Sequence, residues 1–107
     1  MITQLTPSEL QQHLNGTHGR PVILDVREPW ERKLCSLPNS VHIPLGELRT
    51  RSTELKKESE IVVICHHGIR SRQAAEYLQQ MGFENLYNLG GGIDAWAREI
   101  DPSMARY

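Results

Sequence analysis

One cysteine of the sequence occupies a position typical of a nucleophile. Four apolar residues, Ile61 to Ile64, lead directly into Cys65, and Gly68 and Arg70 follow before an amphipathic stretch begins. This pattern predicts a buried strand that ends in a loop just before a helix N-terminus, where backbone amides can surround an anion. We therefore identify Cys65 as the candidate nucleophile. The alternative is a buried structural thiol, because free cysteine is among the most buried residue types.

The loop after Cys65 contains groups that could stabilise a thiolate. An ordinary cysteine thiol has a pKa of about 8.5, and lowering that value by about two units requires roughly 2.7 kcal/mol. A helix N-terminus supplies about 0.3–1 kcal/mol, or about 2 kcal/mol in favourable sites, so the helix dipole alone is marginal. Gly68 allows consecutive amides to turn inward, and Arg70 is a permanent cation. His66 and His67 could add fractional positive charge.

Three other uses of this loop fit the sequence less well. A zinc site would use Cys65 and the two histidines with Cys35 or His42, but CxxC and HxxxH spacings are absent and neighbouring histidines are expected to diverge. The lack of CxxC also argues against a thioredoxin-like redox site. A cysteine protease needs a base, and the adjacent histidines cannot easily turn back onto Cys65. We expect neither a metal nor a cofactor.

A cysteine phosphatase is a closer alternative. Its loop needs seven positions from cysteine to arginine, which is wide enough to wrap a tetrahedral phosphate. Here Cys65 to Arg70 spans six positions, and the seventh is Ser71. The loop is one residue too short for a phosphate, so a phosphatase or arsenate-reducing role ranks below the two hypotheses given at the end of this section.

Length and composition predict an ordinary globular protein. The chain has 107 residues, 38% hydrophobic and 23% charged, which suits one domain over residues 1–107. Its net charge of −1 gives no general attraction to nucleic acid, and no apolar run approaches the roughly 20 residues of a membrane span. Met1 to Pro7 does not resemble a secretory signal, and two cysteines then favour thiols over a disulfide. We expect a cytoplasmic protein.

Strands that alternate with helices are predicted to position the cysteine loop. The predicted strands are Pro21–Arg27, Ser40–Pro44 at a sheet edge, Ile61–Ile64 and Leu86–Leu89. Predicted helical segments are one that begins with the Thr6–Glu9 capping box and ends at Asn15-Gly16, then Glu28–Arg32, an irregular stretch Leu45–Leu55, Ser71–Met81 and Ile93–Ile100. This alternation predicts a compact α/β domain with a largely parallel sheet.

Several polar and aromatic residues near these elements receive structural interpretations. Asp25 and Arg27 end a strand at the sheet edge where ligands bind in open α/β folds, but we expect them to pair with each other or with neighbouring loops. His42 is interpreted as a structural polar group beside a strand. Trp96 is interpreted as a core anchor, and a packing role is also predicted for Trp30.

Four motifs, in this order and spacing, resemble the single-domain rhodanese family from about residue 4 to residue 100. They are Leu24–Glu28, His42–Leu48, Cys65–Ser71 and Leu89–Trp96. The tail from Glu99 to Tyr107 is similar to the ending of rhodanese domains fused to enzymes that activate ubiquitin-like sulfur carriers.

The resemblance implies a five-stranded parallel sheet flanked by helices, and sulfur transfer in two steps. The Cys65 thiolate would attack the outer sulfur of a small anionic donor such as thiosulfate, release sulfite and become a persulfide. Cyanide, a biological thiol or a sulfur-acceptor protein would then remove that sulfur. The resemblance assigns persulfide binding to the main-chain amides of His66, His67, Gly68, Ile69 and Arg70. Supporting roles fall to Asp25, Arg27 and Ser71.

The sequence departs from the family pattern at two positions. Cys35-Ser36 replaces the Gly-His of many members, and we interpret Cys35 as a small residue tolerated in a turn, with a resolving thiol as the alternative. The position after Cys65 is often arginine in members that use thiosulfate, whereas it is His66 here. This difference leaves the preferred donor open and predicts some pH sensitivity.

Two functional hypotheses follow. The first is a sulfurtransferase that uses a Cys65 persulfide. The second is a persulfide-carrying or interaction module that docks on a sulfur donor or acceptor protein, with thiosulfate activity incidental.

Overall fold

A five-stranded parallel sheet forms the centre of the molecule. The computed structural model describes residues 2–16 and 19–107. Its strands are β1 (Ile2–Leu5), β2 (Val22–Asp25), β3 (Val41–His42), β4 (Ile61–Ile64) and β5 (Leu86–Leu89). Its α-helices are α1 (Pro7–Leu14), α2 (Pro29–Leu34), α3 (Leu48–Arg51), α4 (Ile69–Gln80) and α5 (Gly92–Glu99). The strand order is β1-β5-β4-β2-β3 with every pairing parallel, which confirms the predicted fold class.

The apolar run that precedes Cys65 is the middle strand of this sheet. All four residues of β4 are fully buried, because β2 and β5 pair with its edges and side chains cover both of its faces. Val63 packs on one face with Leu78 of α4. Val62 and Ile64 pack on the other face with Trp96 of α5, which confirms the core role predicted for that tryptophan. A continuous apolar run is what a strand buried on both faces requires.

Local sequence signals set the helix boundaries. At the start of α1, the Glu9 amide donates to Thr6 Oγ1 at 3.1 Å, and the Glu9 carboxylate accepts from the Thr6 amide at 2.8 Å, as the capping box predicts. The longest helix, α4, has 12 residues and begins two residues earlier than predicted, directly after Gly68. Within residues 2–16 and 19–107, no helix is long and apolar enough to cross a membrane.

The sequence predicted one of the two edge strands of the sheet and missed the other. Edge strand β3 is confirmed, although it contains only two residues. Edge strand β1 was not predicted from the residue pattern, since Ile2–Leu5 has partly exposed ends and an exposed middle. It pairs with β5 along one side only, so its residues need not be continuously apolar. The irregular helical stretch predicted over Leu45–Leu55 is confirmed as two 3₁₀ turns on either side of α3.

Candidate active site

Cys65 lies at the carboxyl end of the middle strand, where open parallel sheets place their reactive groups. It is a free thiol and only 1% exposed. The Gly68 amide donates a hydrogen bond to its Sγ at 3.0 Å. This contact places one loop N–H directly on the sulfur.

Gly68 gives the loop its shape. Its φ of +100° lies in the left-handed region that side chains disfavour, and a Cβ there would lie 3.3 Å from the Leu89 carbonyl oxygen. The turn brings the Gly68 amide back to the sulfur and starts α4 at Ile69. The six positions from Cys65 to Arg70 therefore form a compact cradle, in which the Gly68 amide contacts the sulfur.

The N-terminus of α5 binds the carbonyl groups of this loop through two backbone hydrogen bonds. The Ile93 amide donates to the Cys65 carbonyl oxygen at 2.8 Å, and the Asp94 amide donates to the His66 carbonyl oxygen at 3.1 Å. Both Gly91 and Gly92 adopt positive φ to allow this approach. The sequence included these glycines in a family motif but did not assign them a contact with the cysteine loop.

Ser71 connects the thiol to β5. The Cys65 Sγ and Ser71 Oγ lie 3.3 Å apart, and Ser71 Oγ donates to Asn88 Oδ1 at 2.5 Å. The Asn88 amide nitrogen also donates to the Gly68 carbonyl oxygen at 3.2 Å. The sequence placed Ser71 near the site but missed Asn88, which lies 17 residues further along the chain and follows no recognised spacing.

The Arg70 guanidinium forms a two-point ion pair with Glu31 of α2. Its two terminal nitrogens lie 2.5 Å and 2.8 Å from the two carboxylate oxygens. The hydrogen bonds from Arg70 lower the pKa of Glu31 to about 2 despite the burial of the carboxylate. Arg70 therefore has a negative partner beside it, which offsets part of the positive charge that the sequence suggested for the thiolate. Glu31 was not identified from sequence, because the pair joins residues 39 positions apart.

This ion pair predicts a specific acid sensitivity. The pKa of Glu31 is depressed in the folded state, so its stabilisation is fully present above about pH 4.5 and is lost as the pH falls toward about 2. Because the Arg70 side chain is about one-third exposed, we expect a screened contribution of about 2 kcal/mol. When the pH is lowered from 5 to 2, the free energy of unfolding of wild type should fall by about 2 kcal/mol more than that of Glu31→Gln. Urea titration at each pH measures both values.

Glu54→Gln is the matched control, because Glu54 forms a similar pair with Arg51 at the exposed surface. Its acid dependence should stay close to that of wild type. Equal acid dependence of Glu31→Gln and wild type would show that the buried pair does not stabilise the fold.

Asp25 and Arg27 form a fully buried ion pair, as predicted. Arg27 Nη2 lies 2.8 Å from Asp25 Oδ2, and Arg27 Nε lies 3.0 Å from Asp25 Oδ1. Arg27 also donates to the Cys35 carbonyl oxygen at 2.6 Å. His42 Nε2 lies 2.7 Å from the Arg27 carbonyl oxygen, which agrees with a structural role for that histidine. The pair thus ties β2 to the segment after α2.

Three aromatic rings stack beside the cysteine loop. The His66 ring lies 3.9 Å from the His67 ring and 3.9 Å from the Tyr107 ring, with the latter pair almost parallel at 9°. The expectation that the adjacent histidines diverge is therefore wrong. The Tyr107 hydroxyl donates to Glu31 Oε2 at 2.6 Å and accepts from Arg27 Nη1 at 3.1 Å. Burial, together with the bond to Glu31, raises the pKa of Tyr107 to about 12.

Burial in this stack changes the charge expected of His66. Burial, with a smaller effect of the neighbouring His67, lowers the pKa of His66 below its ordinary value of about 6.5. Its Nε2 is buried without a hydrogen-bond partner among the residues that the structure describes. The lowered pKa reduces the fractional positive charge that the sequence suggested for this ring at pH 7.

Trp30 and Cys35 lie near the same stack. Trp30 packs edge-on against Tyr107 at 5.8 Å between ring centroids but stays 60% exposed, so its predicted packing role is limited to this contact. The Cys35 sulfur is half-buried and lies 3.7 Å from Arg27 Nη1. The Cys35 carbonyl oxygen accepts a hydrogen bond from Arg27. The backbone of Cys35 is extended and precedes the turn at Pro38 and Asn39, so the residue does not lie in a turn as predicted.

Comparison with known proteins identifies relatives of the whole chain. The sequence model of the family described as Rhodanese-like domain matches residues 6–99. A sulfurtransferase of Allochromatium vinosum is 34% identical over 105 residues, which cover 98% of this chain and 97% of that protein. The putative sulfur carrier protein YrkF of Bacillus subtilis is 45% identical over 79 residues, which cover 74% of this chain but 43% of that protein.

A solved structure has the same fold. The crystal structure of a rhodanese-related protein from Thermoplasma volcanium superposes with a TM-score of 0.82 at 36% identity, covering 92% of this chain and 93% of that one.

Proposed function

Because this chain belongs to the rhodanese-like domain family of sulfurtransferases, we propose that it moves a sulfane sulfur from a small anionic donor to an acceptor through a persulfide on Cys65. One observation carries the proposal. The Cys65 sulfur lies inside a six-residue loop and accepts a hydrogen bond from the Gly68 amide at 3.0 Å. A preorganised N–H donor at this position stabilises negative charge on sulfur.

In the first step, the Cys65 thiolate attacks the outer sulfur of a donor such as thiosulfate. A sulfur–sulfur bond forms to Cys65, the donor's own sulfur–sulfur bond breaks, and sulfite leaves with that electron pair. The persulfide anion then occupies the loop, where the Gly68 amide is already directed at sulfur. The remaining amides from His66 to Arg70 are proposed to bind the outer sulfur.

In the second step, an acceptor nucleophile such as cyanide or a thiolate attacks the outer sulfur. The persulfide bond breaks, and its electron pair returns to Cys65 as a thiolate, so no external oxidant or reductant is needed. The α5 amides that bind the Cys65 and His66 carbonyl oxygens keep the loop in place through both steps. Arg70, with Glu31 beside it, offers a local cation whose charge is partly offset.

The size of the loop supports sulfur rather than phosphate as the transferred group. Cys65 to Arg70 spans six positions, and the Gly68 amide lies directly against the sulfur. Because α5 holds two loop carbonyls, the cradle has little freedom to widen around a tetrahedral phosphate. This geometry favours a transferred group the size of one sulfur atom.

A donor panel read by mass spectrometry tests the proposal. The panel contains two sulfur donors, thiosulfate and an organic persulfide, and one phosphatase substrate, an aryl phosphate. Wild type is expected to gain one sulfur atom from at least one of the sulfur donors, and peptide mapping should locate that atom on Cys65. Cys35→Ser is the matched control and should gain the same sulfur. Sulfur on Cys35 alone, or no modification from any sulfur donor, would contradict the assignment, and hydrolysis of the aryl phosphate would favour the phosphatase.

A second candidate function is a persulfide carrier that serves a partner protein. It is supported by the similarity to the putative sulfur carrier YrkF and by two large apolar side chains that stay exposed near the loop. Trp30 is 60% exposed, and Ile69, at the start of α4, is 71% exposed. Such side chains beside a buried thiol suit contact with a protein that presents or receives sulfur.

Comparing two donors separates these functions. The carrier function predicts that a persulfidated partner protein loads Cys65 faster than thiosulfate at equal concentration, and that Trp30→Ala slows only the partner reaction. Arg49→Ala, an exposed substitution on α3, is the surface control. Fast turnover with thiosulfate and no effect of Trp30→Ala on either donor would exclude the carrier function.

A further inference from the structure

A buried chain of hydrogen bonds runs from Cys65 to the sheet edge. The Cys65 sulfur contacts Ser71 Oγ, Ser71 Oγ contacts Asn88 Oδ1, and Asn88 Nδ2 contacts both the Gly68 carbonyl oxygen and Gln4 Oε1. Ser71 is fully buried and Asn88 is 3% exposed. Buried polar groups of this kind have few alternative partners, so the direction of each bond can be determined from its neighbours.

The direction of the chain follows from the Gly68 carbonyl group, which can only accept a hydrogen bond. Asn88 must therefore direct its NH₂ group toward Gly68, which leaves its carbonyl oxygen facing Ser71. That oxygen also can only accept, so the single hydroxyl hydrogen of Ser71 is donated to Asn88. A lone pair of Ser71 Oγ, rather than its hydrogen, then faces Cys65, and the thiol S–H donates to it.

This arrangement suits the thiol and opposes its anion. A thiolate or persulfide has no hydrogen to donate and requires donors around it. The Gly68 amide meets that need, but Ser71 can donate to the sulfur only if its hydrogen leaves Asn88. Asn88 and the sulfur anion therefore compete for one hydroxyl hydrogen.

We propose that Asn88 is a positioning residue of the reaction, which holds the Ser71 hydroxyl hydrogen away from Cys65 and so favours the thiol over the thiolate in the resting protein. The proposal rests on Cys65 being the reacting thiol of the proposed function. When the thiolate forms, the S–H proton passes to a solvent base and the Ser71 hydroxyl turns from Asn88 to sulfur. No other bond forms or breaks.

The hydrogen bonds of Asn88 involve no charged group, so we expect the ion pairs around the loop to survive its substitution. Arg70 of α4 stays paired with Glu31 of α2, and Asp25 of β2 stays paired with Arg27. The His66 ring stacks on Tyr107 and contacts the His67 ring, and His67 lines one cleft together with Gly68 and Asn88. A change in Cys65 reactivity after substitution of Asn88 therefore reports on the Ser71 hydroxyl.

The test is the rate of Cys65 alkylation by iodoacetamide against pH, in a Cys35→Ser background. Asn88→Ala frees the Ser71 hydrogen, so the pH–rate profile should shift to lower pH and the rate at pH 7 should rise about three- to tenfold. Adding Ser71→Ala to Asn88→Ala should remove most of that gain. If Asn88 had only a structural role, its loss would loosen Gly68 and weaken the amide hydrogen bond to the sulfur. An unchanged or slower alkylation rate in Asn88→Ala would therefore overturn the proposal.

Two further measurements complete the test. Gln4→Met leaves Asn88 bonded to Gly68, so its alkylation profile should match that of the parent, and a shift as large as that of Asn88→Ala would overturn the proposal.

If Asn88→Ala does not fold, infrared spectroscopy of the parent tests the hydrogen bond from the Cys65 thiol to Ser71. Ser71→Ala should move the Cys65 S–H stretch to higher frequency, and an unmoved band would overturn the proposal. Alkylation and infrared spectra need no sulfur donor, so this proposal and the sulfur-transfer function can fail separately.

Discussion

Cys65→Ser is expected to reduce sulfur transfer by about three orders of magnitude or more. A serine hydroxyl cannot form a persulfide, so both half-reactions lose their covalent intermediate. The measurement is thiocyanate formation from cyanide and whichever donor loads wild type in the mass-spectrometry panel. The serine should still fit, because the site already contains hydrogen-bonding groups from Gly68 and Ser71.

Cys35→Ser is the matched control for this loss. Cys35 follows the C-terminus of α2 in an extended conformation, and its main-chain carbonyl accepts a hydrogen bond from Arg27 that survives the substitution. Its turnover should stay within about twofold of wild type. Turnover of Cys65→Ser above about one-tenth of wild type would show that another group carries the sulfur. A loss in Cys35→Ser equal to that in Cys65→Ser would support a resolving thiol at Cys35.

Gly92→Ala is expected to damage both the stability and the chemistry of the protein. Gly92 has a φ of +62°, and a Cβ there would overlap the His66 carbonyl oxygen and lie 2.5 Å from the Cys65 carbonyl oxygen. These are backbone atoms of the cysteine loop, so α5 or the loop must move. The left-handed backbone alone costs an alanine about 1–2 kcal/mol, and the overlap should bring the total to about 3 kcal/mol or more.

The same displacement should act on sulfur transfer. The amides of Ile93 and Asp94 bind the loop carbonyls only when α5 stays in contact with the loop. We expect turnover per folded molecule to fall about tenfold or more, since small displacements of a reacting group lower rates strongly. Urea titration measures the free energy of unfolding. Sulfur-transfer turnover is measured in buffer without urea, at a temperature well below the melting point.

Gly46→Ala is the control for adding a methyl group at a glycine. A Cβ at Gly46 would have no atom within 4 Å, and its φ is not positive. Its free energy of unfolding should change by less than about 0.5 kcal/mol. Equal stability and turnover of Gly92→Ala and Gly46→Ala would show that close contact between α5 and the loop is not required.

The sequence predicted the elements whose signals are local. The continuous apolar run Ile61–Ile64 predicted a strand buried on both faces, and it is the middle strand of the sheet. The Thr6–Glu9 capping box predicted the start of α1, because both of its hydrogen bonds lie within one helical turn. The pairing of Asp25 with Arg27 was predictable as well, since only two positions separate them. Edge strand β1 gave no such signal from its residue pattern.

For the cysteine loop, the sequence by itself identified Cys65 as the candidate nucleophile and determined its place after a buried strand and the six-residue spacing to Arg70. The tertiary structure decided what surrounds that thiol. Glu31 is 39 residues from Arg70 and Asn88 is 17 residues from Ser71, so neither partner follows from local periodicity. The charge of His66 likewise depends on burial in the stack formed with Tyr107. Local spacing predicts which group is the candidate nucleophile, whereas the charges and hydrogen bonds around that group depend on distant segments that meet only after folding.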